Sequence, residues 1–126
     1  KYVITDNEAG MEHISRKLTK HVDTLILVSD CAKRSIQAVA RIRDLAKEMN
    51  LSVGKIGLIV NKAPNGELSN GVKEEIEKYG LDLFGVVPSD ELIYEYDSEG
   101  IPLVKLPADS KSRVALEKII ETLDLP

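Results

Sequence analysis

Apolar residues fall into two alternating spacings along this chain. Short apolar runs at "YVIT" (2–5), "TLILVS" (24–29), "IGLIV" (56–60) and "LFGVV" (83–87) read as strands. The nearly unbroken runs at 24–29 and 56–60 are the signature of strands covered on both faces. Between them, apolar residues recur at three and four. Met11, Ile14 and Leu18 give a short helical pattern, and Ile36, Val39, Ile42, Ala46 and Met49 give a helix over 32–49. Leu68, Val72, Ile76 and Tyr79 share one side of a helix within "ELSNGVKEEIEKYG", stopped by Gly80. Asp90 opens a short helix reaching about Tyr96, "SEGIPL" reads as a loop, and "KSRVALEKIIETL" ends the chain as a helix. Its apolar stripe is Leu116, Ile119, Ile120 and Leu123.

Strands alternating with helices predict crossover connections and a parallel sheet. The expected architecture is α/β, one sheet of about four strands flanked by helices, with no repeat or linker. In such sheets ligands sit beyond the carboxyl ends of the strands. The residues to weigh are therefore Asp6 to His13, Asp30 with Cys31, Asn61 with Lys62, and Pro88 to Asp90.

An Asn at a strand end can offer its amide as donor and acceptor to a purine edge. Guanine-specific sites continue Asn-Lys-x-Asp, but here "NKAP" puts Pro64 in that place, which favours adenine. The plainer alternative is that Asn61 starts a turn and Lys62 is solvated. Pro88 offers a rigid wall to a flat ring, and Ser89 or Asp90 can cap the following helix. An ordinary strand-to-helix entry would read the same way. In "DNEAGMEHISR", Asp6 directly after a strand suits Mg²⁺, often held through a water. Gly10 lets backbone N–H groups approach a phosphate and lets the loop switch. Glu12 and His13 are adjacent, about 100° apart on a helix, and make a poor metal pair. As surface residues, Glu8 and Glu12 would simply favour a helix N-terminus.

Length and composition change this picture little. The chain has 126 residues, 43% hydrophobic and 30% charged, enough for one domain with a core. A net charge of −4 disfavours nucleic acid. No apolar run nears the ~18 residues of a membrane helix, and the last helix lacks the basic face of a membrane-binding one. The single cysteine, Cys31, rules out an internal disulfide and fits a cytoplasmic setting. The chain starts at Lys1 and enters a strand almost at once, which suggests a piece of a longer protein.

Taken in order, "YVITDNEAGMEHISR", "VDTLILVSDCAKRSIQAVARIRDLAKEM", "IGLIVNK", "LFGVVPSDE" and "DSEGIPL" resemble the C-terminal half of the CooC-type maturation ATPases of carbon monoxide dehydrogenase. These are deviant-Walker P-loop ATPases related to MinD and the nitrogenase iron protein. The resemblance covers nearly the whole chain, and "DNEAGMEHISR" is its most specific part. It implies a partial P-loop NTPase-like sheet lacking the Walker A half, ATP or ADP with Mg²⁺ as ligands, and a nucleotide-dependent homodimer. It also implies nickel insertion into carbon monoxide dehydrogenase as the task. By that resemblance Asp6 is the Walker B-type residue near Mg²⁺ and Gly10 the switch glycine near the γ-phosphate. Asn61 with Lys62 meets adenine, and Pro88, Ser89 and Asp90 form the loop over the base. The phosphate loop with its lysines and the paired-cysteine metal site are absent from these residues, so any nickel or zinc ligands belong to a longer parent. The chain alone is expected not to hydrolyse ATP.

Three other readings stay open. A receiver-like domain would use Asp6 and Glu8 for Mg²⁺, Asp30 as phosphoacceptor and Lys62 as switch lysine. A MinD- or ParA-type ATPase would have another client. A non-catalytic α/β module would bind partners through its loops.

Overall fold

A computed structural model of the chain describes residues 22–48 and 53–123. Three strands, β1 (Val22–Ser29), β2 (Val53–Ala63) and β3 (Leu83–Pro88), form a parallel sheet in the order β1-β2-β3. Leu27 pairs with Leu58 and Val60 with Val86. The predicted strand at 2–5 and helical pattern at 11–18, with Asp6, Gly10, Glu12 and His13, lie outside the described residues.

Helix α1 (Lys33–Glu48) follows β1, α2 (Asn70–Lys78) follows β2, and α3 (Glu91–Glu99) and α4 (Lys111–Thr122) follow β3. Each predicted element from 22 onward is present, with ends shifted by a few residues. The shifts have local causes. Ser69 accepts a hydrogen bond from the Val72 amide at 3.3 Å, so α2 starts there and not at Glu67. Gly80, with φ of 63°, ends α2, and the Leu81 amide returns to the Ile76 carbonyl. Helix α3 runs past Tyr96 to Glu99 because the left-handed residue that stops it is Gly100.

The main core lies between one sheet face and the helices α1 and α2. Leu27, Leu58 and Val60 from the strands meet Ile36, Val39, Ala40, Val72 and Ile76 from the helices. Ile36, Leu58 and Val60 are essentially solvent-free, each worth about 1.5–3 kcal/mol of burial. Glu75 is buried in the seam between α1 and α2. It accepts from Gln37 Nε2 at 3.3 Å, with Lys33 Nζ 3.9 Å away.

The opposite face carries a smaller core in which Ile119 of α4 and Leu123, just past its end, pack on Ile59, Val87 and Phe84. Here the sequence pattern misleads twice. Leu116 and Ile120, expected on the buried stripe, are exposed, because α4 packs on β3 and covers only its own track. Strand β1, expected to be covered on both faces, is open on one. Leu27 and Ser29 are buried under α1, while Ile26 and Val28 on the other side remain 40% and 60% exposed. No described helix lies over them.

Candidate nucleotide site

Two carboxyl ends of the sheet, those of β2 and β3, are tied together by main chain. Ala63 is fully buried and pairs with Pro88 across a register irregularity after Val60. The Ser89 amide donates to the Ala63 carbonyl at 2.9 Å. These bonds bring Asn61 and Lys62 beside Pro88 and Ser89 on one rim.

Within that rim, the strand end is sharply contoured. Lys62 has a left-handed backbone (φ 57°), and its amide donates to Asn61 Oδ1 at 2.9 Å. A non-glycine residue is strained there. The chain then enters a 3-10 turn, Pro64–Gly66, with Asn65 also left-handed at φ 55°. A Cβ on Gly66 would lie 3.7 Å from Pro88 Cβ, so this turn packs over Pro88. Asn61 is half-buried. Its oxygen keeps one lone pair beyond the Lys62 bond, and its amide nitrogen still has both hydrogens to give. The Lys62 side chain is exposed.

Asp90 has a different task. Oδ1 caps α3 by accepting from the Leu92 amide at 3.0 Å. Oδ2 accepts from the Ser112 hydroxyl at 2.8 Å and the Ser112 amide at 3.2 Å, at the start of α4. Partial burial raises the Asp90 carboxyl. The two Ser112 hydrogen bonds, the Leu92 amide and the charge of Lys111 outweigh it and hold the group below the ordinary value of 3.8. Both carboxylate oxygens thus help to join two helices, Oδ2 with two bonds and Oδ1 with one. Exposed Lys62 and Ser89, with half-buried Asn61 and Pro88, are the groups a ligand could meet.

Sequence reasoning missed the Ser112 partnership, since nothing local marks a serine at the second helical position as a ligand of Asp90. The turn after Lys62 did have a signal. "PNG" combines a fixed φ, an Asn tolerant of the left-handed region and a Gly.

The same end of the sheet includes the end of β1, because Ser29 pairs with Val60, one position before Asn61. Asp30 is exposed at the end of β1, and Cys31 is half-buried at the edge of the main core. Among the described residues no three His, Cys, Asp or Glu side chains gather as a metal site would require. A cavity of about 350 Å³ lies at the other end of the strands, between Lys55, Asp82, Leu83, Phe84, Thr122 and Leu123. Its one cation, Lys55, is committed to the Leu123 carbonyl at 2.8 Å. No described helix is long and apolar enough to cross a membrane.

A parallel sheet of this order, flanked by helices and edged by such a rim, has the fold of the MinD- and ParA-type P-loop ATPases. The MinD protein of Pyrococcus horikoshii, solved as a complex with Mg-ADP, superposes with a TM-score of 0.63 at 26% identity. That match takes in 81% of this chain and 41% of that one. Among curated proteins, an uncharacterized ATP-binding protein of Methanocaldococcus jannaschii is 35% identical over 123 residues, 98% of this chain and 48% of the relative. The carbon monoxide dehydrogenase accessory protein CooC of Rhodospirillum rubrum is 31% identical over 99 residues, 79% of this chain and 36% of CooC. The chain spans about half the length, or less, of the curated relatives it matches. No protein-family model matches the chain.

Proposed function

We propose that this chain forms the base-side half of an ATP site in a P-loop ATPase that matures a metallocentre, its task being nickel insertion into carbon monoxide dehydrogenase. One observation carries the nucleotide part: the Ser89–Ala63 main-chain bond that holds Asn61 and Lys62 against Pro88 and Ser89. The rim suits adenine. Asn61 can donate from its amide nitrogen and accept on its oxygen, Pro88 supplies a flat apolar wall, and Ser89 adds a small polar group. Lys62 adds a positive charge beside Asn61 on the rim. Asp6 would hold Mg²⁺ through water and Gly10 would sense the γ-phosphate. Both lie outside the described residues.

ATP supplies the phosphoryl group whose transfer drives the cycle. These residues bind and orient its base. The sequence has no Gly-rich loop with a lysine, so this chain alone is expected to bind nucleotide weakly and not to hydrolyse it. The metallocentre client rests on the likeness to CooC and on "DNEAGMEHISR". Nucleotide-dependent pairing of two copies belongs to the same reading, as does a cytoplasmic setting.

Titration of the isotope-labelled chain with ATP and GTP tests the site. ATP should shift Asn61, Lys62 and Ser89, with GTP weaker. Asn61→Ala should weaken ATP about tenfold, the equivalent of ~1.4 kcal/mol. Unchanged affinity in that variant would remove the adenine contact. For the client, the full-length parent should load nickel into cluster-bearing carbon monoxide dehydrogenase only with ATP. Loading that ignores ATP would refute the maturation role.

A further inference from the structure

Asn61 and Lys62 stand outside the pairing of β2 with β3. Val60 pairs with Val86 and Ala63 with Pro88, and the register breaks between them. Lys62 has a left-handed backbone, with φ of 57°, which is unfavourable for a residue with a Cβ. Asn65, the other described non-glycine residue of that kind, is a type that tolerates the region. Lysine is not, and the exposed Lys62 side chain takes no part in the ion pairs among the described residues. Strain held at a binding rim points to use.

What the two residues share is one hydrogen bond. The Lys62 amide donates to Asn61 Oδ1 at 2.9 Å. A donor can face only the oxygen, so this bond decides which end of the side-chain amide lies where. Turning the Asn61 amide over would set its Nδ2 hydrogens against another N–H. The small ring closed by the bond uses the oxygen lone pair on the Cβ side. The other lone pair and Nδ2 then form an edge that no described residue satisfies.

That polarity matters to a purine. The six-membered ring of adenine offers an amino donor at N6 beside an acceptor at N1. Hypoxanthine has the same outline with the roles reversed, an acceptor at O6 and a donor at N1. An Asn free to turn meets either base equally well, because turning its amide over exchanges donor and acceptor. An Asn held one way meets only one of them.

We propose that the main-chain N–H of Lys62 is the specificity-determining group of this rim, locking Asn61 toward a 6-aminopurine and against a 6-oxopurine. Lys62 acts through Asn61 and is a positioning residue. The inference rests on the nucleotide reading above and supplies the source of its selectivity.

The test compares ATP with ITP, whose base is hypoxanthine, by chemical-shift titration of the isotope-labelled chain. The native chain should bind ITP about tenfold more weakly, the worth of one hydrogen bond. The α-hydroxy analogue of lysine at position 62 keeps the side chain and replaces the N–H by an ester oxygen. ITP affinity should then rise and the preference vanish, a gain that structural damage does not produce. Lys62→Asn keeps the N–H and tolerates the left-handed backbone, so the preference should survive it. Equal binding of ATP and ITP by the native chain, a preference that persists in the ester, or one lost in Lys62→Asn would overturn the lock and leave the nucleotide site standing. Before any nucleotide is added, a scalar coupling across the bond, between the Lys62 amide nitrogen and Asn61 Cγ, is expected. Its absence would overturn the lock directly. No shift at the rim with either nucleotide would refute the nucleotide reading and the selectivity with it.

Discussion

Asp90→Ala removes a side chain that ties α3 to α4. Two losses follow from the geometry. The α3 amide at Leu92 loses its cap, costing about 1 kcal/mol. The Ser112 hydroxyl, in a residue 6% exposed, is left without its acceptor, costing about 1–3 kcal/mol. Together the variant should lose about 2–4 kcal/mol, which in a domain of this size lowers the melting temperature by about 8–15 °C. Asp90→Asn should fall between, because its single oxygen can serve Leu92 or Ser112 but not both. Urea unfolding followed by circular dichroism, with Ser112→Ala and the double variant, completes a cycle. The two single losses should overlap strongly, with a coupling of about 1 kcal/mol or more. The same contact sets a pH dependence. A carboxyl depressed by folding contributes its stability fully above its unfolded value, near 3.8, and loses it as pH falls further toward the lower folded value. Wild type should therefore lose more stability than Asp90→Asn between pH 5 and pH 2.5, a window set about that value. A loss in Asp90→Ala below about 0.5 kcal/mol, the range of surface substitutions, or parallel pH curves would refute the clamp.

Other substitutions probe other contacts. Gly85→Ala would set a Cβ 2.3 Å from Ile119 Cγ1, so α4 must shift, and a loss of about 1–3 kcal/mol is expected by thermal melt. Ile119→Ala removes Cγ1 and Cδ1, so its loss and that of Gly85→Ala should be less than additive in the double variant, whereas additive losses would mean the clash is elsewhere. At Lys62 the left-handed backbone should make Lys62→Ile about 1 kcal/mol or more less stable than Lys62→Gly, as read by urea midpoint. Equal midpoints would mean the strand end relaxes freely.

Much of the fold could be read from the chain because its signals are local. Ser69, Gly80 and Ser110 do at the helix ends what their chemistry allows. The apolar runs at 24–29, 56–60 and 83–87 all lie within strands. Errors arose where burial depends on what lies alongside. Ile26 and Leu116 carry the same apolar signal as Leu27 and Ile119, and only the placement of α1 and α4 separates them. The candidate site divides in the same way. Asn61 and Pro88 were visible as strand ends, and the pairing of Ala63 with Pro88 brings them together. Asp90 was visible too, but its commitment to Ser112, 22 positions away, depends on how two helices meet and leaves no trace in spacing. The twist at Lys62 is set by the irregular pairing after Val60, which no residue type announces.

The rim is built from peptide groups. The Ser89 amide and the Ala63 carbonyl hold β2 and β3 ends at a fixed separation whatever side chains flank them. Substitutions at position 89, which joins the frame through its amide alone, would therefore alter the side chain offered to a ligand without disturbing the frame that presents it. A lineage carrying this frame could change its preferred ligand one side chain at a time, and two descendants with little shared sequence there would still hold their guests in the same posture.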